Sequence, residues 1–228
     1  MDYQIFGNDL PAVSIKLGRN ETVYTQSGGM AWMDASVQMD SNMKGGLLKG
    51  IGRMFAGESL FMATFTATRD ASEVVFASTF PGQIIDVHLQ KGYEIVAQKG
   101  AFLCAEQSVA LNVEFTKKFS AGLFGGEGFI LQRLSGEGTA LLEAAGSVVE
   151  RTLAPGEVVK VDTGNVVAFE KSVAYEIEMV KGVKNIFFAG EGLFLTKLTG
   201  PGKIWLQTIT LQNVASRLIP FMPTASSK

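Results

Sequence analysis

The sequence predicts an all-β protein of three tandem antiparallel repeats. Three observations predict it: a recurring ten-residue segment, period-two alternation inside each copy, and glycine-marked turns. Gly28–Val37 aligns without gaps on Gly100–Val109 and again on Gly164–Val173. In every copy glycine opens the segment, apolar residues fill the middle, an acid stands seventh (Asp34, Glu106 or Glu170), and Ser-Val closes it. A Gly-Glu pair follows each time, at Gly57-Glu58, Gly126-Glu127 and Gly190-Glu191. Copies two and three hold a spacing of 64 residues, from Gly82 and Gly146 through Gly126 and Gly190.

The first repeat is assigned to residues 1–80 and runs longer than the others on both sides of Gly57, where insertions are expected as loops. Within it, residues 43–56 predict a glycine-rich loop or a short amphipathic helix. Leu47, Leu48, Ile51, Met54 and Phe55 share a helical face opposite Lys49 and Arg53, and four glycines weaken the helix. The second repeat covers 81–144, and Ala110–Phe115 alternates apolar and polar residues as a half-buried strand does. The third covers 145–228, with the same alternation over Ala174–Met179 and an apolar, proline-broken tail from Ile219 to Pro223. The last few residues are expected to be disordered. Gly136-Glu137-Gly138 and Gly200-Pro201-Gly202 supply the positive φ angles that tight hairpins need. Three such units are expected to pack as small sheets or sandwiches around a pseudo-threefold axis, which satisfies strand edges; an extended array is the alternative.

Composition narrows the classes of function. The 228 residues carry a net charge of −2, which offers no general attraction for nucleic acid. Apolar residues make up 46% of the chain and the mean hydropathy is +0.21, more apolar surface than a lone domain usually hides, which points to an oligomer interface. Charged or glycine residues interrupt every apolar run before it reaches the roughly 18 residues of a membrane-spanning helix. The opening Met1-Asp2-Tyr3-Gln4 has an acid where a targeting segment would carry Lys or Arg, so a cytoplasmic location is expected. One cysteine, Cys104, excludes an internal disulfide, and one histidine, His88, excludes a Cys/His zinc site within the chain.

The three-copy layout, the recurring Gly-x-apolar-apolar segments and the Gly-Glu-Gly turns before Phe129 and Leu193 resemble the altered-inheritance-of-mitochondria (mitochondrial biogenesis) family, in its bacterial-type, uncharacterised form. The resemblance spans nearly the whole chain. It implies a β fold like that of the tryptophan RNA-binding attenuation protein, three repeats, assembly as a homotrimer, and no known catalytic activity. It implies the fold alone for any likeness to the attenuation protein, so no tryptophan-binding or RNA-binding residue is carried over.

Candidate residues follow from the repeats. Cys104 shares its column with Trp32 and Ala168, which reads as an apolar filler rather than a nucleophile. His88 aligns with Thr152 and alternates against Ile85, Val87 and Leu89, which reads as a solvent-facing strand residue. Two acidic sets recur, Asp34, Glu106 and Glu170, and Glu58, Glu127 and Glu191; either could ring a hard cation if the copies surround an axis, and the second set is the metal candidate. Basic and aromatic residues recur before each Gly-Glu pair: Lys49, Arg53 and Phe55; Lys117, Lys118 and Phe124; Lys184, Phe187 and Phe188. These loops are candidates for contact with an anionic membrane surface, an anionic ligand or a protein partner. The leading expectation is a non-enzymatic homo-oligomeric scaffold or binding module, a trimer, without cofactor or nucleic acid. The others are a peripheral membrane or anionic-ligand binder, and an enzyme using the repeated carboxylates with a divalent metal.

Overall fold

The computed structural model describes residues 1–26, 28–41, 62–117, 129–179 and 194–222. A leading strand, β1 (Asp2–Phe6), precedes a first group of six: β2 (Ala12–Leu17), β3 (Thr22–Gln26), β4 (Met30–Met33), β5 (Val37–Asp40), β6 (Met62–Ala67) and β7 (Ser72–Ala77). The second group is β8 (Gly82–Leu89), β9 (Ile95–Gln98), β10 (Phe102–Glu106), β11 (Val109–Lys117), β12 (Phe129–Gly136) and β13 (Gly138–Ala145). The third is β14 (Val148–Leu153), β15 (Val158–Asp162), β16 (Val166–Glu170), β17 (Ala174–Met179), β18 (Phe194–Thr199) and β19 (Gly202–Gln207).

Alternation makes these segments strands. In β8, Ile85, Val87 and Leu89 are buried while Asp86 and His88 face solvent, because successive side chains point to opposite faces. Every pairing is antiparallel, and each group pairs by one rule. The last strand lies between the first and the third (β2·β7·β4, β8·β13·β10, β14·β19·β16), and the fifth lies between the fourth and the second (β5·β6·β3, β11·β12·β9, β17·β18·β15). A register shift falls in the same column of all three groups, between Met30 and Trp32, Phe102 and Cys104, and Val166 and Ala168. One extra residue on the third strand bends it there and sharpens its twist.

Groups join through strands rather than through loops. The second strand of one group pairs with the third strand of the next: β3 with β10 at Tyr24↔Ala105 and Val23↔Glu106, and β9 with β16 at Ala97↔Ala168, Val96↔Phe169 and Ile95↔Glu170. Four sheets result, ordered β1-β2-β7-β4, β5-β6-β3-β10-β13-β8, β11-β12-β9-β16-β19-β14 and β15-β18-β17. They enclose three apolar cores. The first gathers Ile15, Phe65 and Phe76 with Cys104 and Leu141 from the second group. The next gathers Ile85, Ile95 and Leu142 with Ala168 and Trp205 from the third. The last gathers Phe129, Leu131 and Val96 with Phe169, Leu198 and Ile204. Phe65 and Phe76 meet edge to face at 5.3 Å, and each such fully buried ring contributes about 1.5–3 kcal/mol.

Alternation did not predict α1 (Leu211–Leu218), because eight residues supply barely two turns of helical period. Its start is fixed locally: Thr210 Oγ1 accepts the Asn213 N–H at 3.1 Å, satisfying one of the orphan donors of the first turn. The loop or helix expected over 43–56 and the last few residues, expected to be disordered, lie outside the described residues. No helix among the described residues is long and apolar enough to cross a membrane.

Close strand pairing sets a sharp steric demand at Gly82, where a Cβ would be driven into the backbone carbonyl of Ala144 on the paired strand β13. Gly82→Ala is therefore expected to lower stability by about 1–3 kcal/mol in urea unfolding. Gly100→Ala, whose Cβ meets nothing within 4 Å, should change it by less than about 0.5 kcal/mol.

Candidate functional site

The acid that recurs seventh in each copy has one job three times. Asp34 Oδ2 accepts the Glu73 N–H at 2.9 Å, Glu106 Oε2 accepts the Thr139 N–H at 2.5 Å, and Glu170 Oε2 accepts the Lys203 N–H at 2.9 Å. Each carboxylate ties the end of a group's third strand to the start of its last. The Ser of the closing Ser-Val packs against the same point. A Cβ on Gly138 or Gly202 would come within 2.6 Å of the Oγ of Ser108 or Ser172. In the first group Ser72 fills the glycine's column, and its Oγ instead shares a 2.8 Å hydrogen bond with Ser36 Oγ. The expectation that Asp34, Glu106 and Glu170 could ring a cation is corrected: among the described residues no three His, Cys, Asp or Glu side chains group closely enough to hold a metal. Each carboxylate instead reaches across to a backbone N–H on the last strand of its own group.

Cys104 is wholly buried against Leu103 and Leu141, and desolvation pushes its thiol well above the usual range, so the thiolate is disfavoured. His88 projects from β8, with Nδ1 3.2 Å from Thr139 Oγ1 and Nε2 3.3 Å from Asp86 Oδ2. Both readings from the repeat columns match this placement. Trp32 does not follow its column: Cys104 and Ala168 are fully buried, whereas Trp32 is 51% exposed.

That contrast marks an open strand edge. Among the described residues β4 pairs only with β7, and β15 pairs only with β18, whereas their counterparts in the other groups each have a strand on both sides. Beside Trp32, Phe6 lies 6.3 Å away ring to ring and is 40% exposed; on β15, Val158 is 47% exposed. Apolar residues of the C-terminal segment, Leu218, Ile219 and Phe221, are exposed as well. The sequence carried a signal for this surface in its high apolar content, but not its location.

A cleft of about 650 Å³ opens where the three groups meet α1, lined by Phe80, Phe102, Phe129, Ile130, Val167 and Leu211 with Gln26, Gln98 and Gln207 among its polar atoms. Gln98 Nε2 donates to the Thr163 carbonyl at 2.7 Å, and Gln207 Nε2 to the Gly164 carbonyl at 2.8 Å, so two of these amides bind backbone rather than face the opening.

The basic and aromatic candidates Lys49, Arg53, Phe55, Lys118, Phe124, Lys184, Phe187 and Phe188 lie outside the described residues, as do Glu58, Glu127 and Glu191. Lys117 is the last residue of β11, where its backbone pairs with Phe129; its side chain lies outside the description. The three stretches connect equivalent strands, β5 to β6, β11 to β12 and β17 to β18.

Burial would raise the Glu106 carboxyl, but hydrogen bonds from the Met1 ammonium at 2.8 Å and from Thr139 N–H outweigh it and hold the carboxyl below its usual range. A carboxylate depressed on folding contributes stability in full above its unfolded pKa of about 4.3, and loses it as pH falls through the lower folded value. Glu106→Gln should therefore flatten the acid limb of the melting-temperature profile below about pH 4.3. Glu170→Ala should cost about 1–3 kcal/mol at neutral pH by leaving the Lys203 N–H without its acceptor, read by urea unfolding.

Known proteins share this architecture. The crystal structure of a Streptococcus pyogenes protein superimposes with a TM-score of 0.78 at 28% identity, over 97% of this chain and 99% of that one. An uncharacterised protein of Streptococcus pyogenes serotype M6 is 32% identical over 226 residues, 95% of this chain and 89% of its relative. The family model described as mitochondrial biogenesis AIM24 matches residues 3–209, from inside β1 to just past β19. Since that match takes in all three strand groups and the likeness holds in sequence and in fold, the chain belongs to the mitochondrial biogenesis AIM24 family.

Proposed function

We propose that the protein is a non-enzymatic, homo-oligomeric β scaffold or binding module, assembled as a trimer. The observation that carries this reading is the pair of open strand edges at the two ends of the sheet series, with exposed apolar side chains beside them. An open edge presents a row of unpaired N–H and C=O groups, and soluble proteins cover such edges or blunt them. Exposed Trp32, Phe6 and Val158 beside these edges fit a surface that another protein covers. The repeated polar groups support the same reading, because Asp34, Glu106 and Glu170 already serve as acceptors for backbone N–H groups. A trimer of 24.4 kDa chains has a mass of about 73 kDa, and light scattering at micromolar concentration is expected to give it. A single-chain mass would overturn the proposal.

A second reading, contact with an anionic membrane surface through the basic and aromatic stretches, is favoured by one observation: all three stretches connect the same pair of strands in their groups. Replacing Lys49, Arg53, Lys117, Lys118 and Lys184 together by Ser should then abolish co-sedimentation with vesicles holding anionic lipid. Equal, negligible sedimentation of the unmodified protein with anionic and neutral vesicles would remove this reading.

A further inference from the structure

We propose that β4 of one copy pairs antiparallel with β15 of a second copy, placing Trp32 opposite Val161, Met33 opposite Lys160 and Asp34 opposite Val159. This rests on the homo-oligomeric reading above and specifies the surface and the register by which copies meet.

The register comes from junctions the chain already makes with itself. Within the chain the second strand of one group pairs with the third strand of the next, at Val96↔Phe169 and at Tyr24↔Ala105. The same columns in the two unjoined strands are Lys160 and Met33: Lys160 faces Lys197 on β18 as Val96 faces Arg133 on β12, and Met33 follows the shared bulge as Phe169 and Ala105 do. Among the described residues β15, the second strand of the third group, pairs only with β18, and β4, the third strand of the first group, pairs only with β7. A head-to-tail contact between copies supplies each with what it lacks, and a rotation that closes makes a ring.

The cores require the same partner. The first core is completed by Leu103, Cys104 and Leu141 of the second group, and the next by Val167, Ala168 and Trp205 of the third, which occupy the same columns. The last core receives no such contribution among the described residues. The columns that would supply it are Ala31, Trp32 and Val75 in the first group, and of these Trp32 stands 51% exposed. Placed like Cys104 and Ala168, the Trp32 indole of one copy covers the last core of its neighbour. The basic member of the junction, Lys160, already has its ammonium 2.8 Å from Glu178 Oε2, so its methylene stem can lie along the partner strand while the charge stays at the rim, and the acidic member, Asp34, keeps its hydrogen bond from the Glu73 N–H.

The test uses the full chain with Cys104→Ala, a residue the same column holds at Ala168, so that no other thiol is present. Met33→Cys and Lys160→Cys proteins are mixed, oxidised, and run on non-reducing gels, with Met33→Cys plus Val158→Cys as the off-register control. A two-chain band is expected only in the Met33 and Lys160 mixture, and the double variant is expected to lock into a covalent three-chain ring. Trp32→Glu should in addition reduce the mass in light scattering to that of one chain, with its circular dichroism spectrum unchanged. An oligomer that persists in Trp32→Glu and gives no in-register band overturns this junction and leaves the oligomeric reading standing. A monomeric parent protein overturns both. A cross-link formed within a single chain overturns the assignment of the partner to a second copy.

Discussion

Strand-to-strand hydrogen bonding across group boundaries is the constraint on which the rest of the structure depends. Among the described residues, the sheet that the second and third groups each form with their first, third and last strands is extended past its third strand by the second strand of the preceding group. Because β3 pairs with β10 and β9 with β16, each central sheet is shared by two groups and has a core on both faces. Burial on both faces explains why Leu141 and Leu142, adjacent on β13, are each fully buried in different cores. It also explains why β10 reads Phe-Leu-Cys-Ala, a nearly continuous apolar run, where a one-sided strand would alternate.

The recurrent acid, serine and glycine act where those shared sheets turn back. A carboxylate reaching a backbone N–H fixes the distance between the third and last strands of a group, and the bulge shortly before it sharpens the twist of the third strand, which pairs on its other side with the second strand of the preceding group. Glycine in the adjoining column is demanded by proximity: at Gly138 and Gly202 a side chain would enter the space of the serine hydroxyl. The first group satisfies the same contact with a serine pair, Ser36 and Ser72, so the column tolerates either an absent side chain or one that can hydrogen-bond. These polar residues recur because the junction recurs, and the same pattern on the page of the sequence is compatible with a cation site until the directions of the oxygens are known.

Charge and apolar surface then fall into place around this frame. Ion pairs on the terminal sheet, Lys197 with Glu176 between the neighbouring strands β18 and β17 and Lys160 with Glu178 from β15 to β17 over β18, are solvent-exposed and add little to stability. They do not hold the molecule together; the cores do. Exposed apolar side chains stand beside the β4 edge at Phe6 and Trp32, on β15 at Val158, and along the C-terminal segment at Leu218, Ile219 and Phe221.

The amino-acid sequence by itself determined that the chain is β, that Ala110–Phe115 and Ala174–Met179 lie in strands, and that Cys104 packs as a small apolar residue while His88 faces water. Those properties are local: alternation decides which side of a strand is buried, and a positive φ angle decides where glycine must stand. Only the tertiary structure decided which strands pair between groups, that Asp34, Glu106 and Glu170 each bind a backbone N–H, that α1 follows the last strand, and that Trp32 departs from its buried column-mates. Each of these depends on what stands opposite a residue. Partners such as Tyr24 and Ala105 lie far apart in sequence, so no periodicity within a strand can encode which edge it will meet.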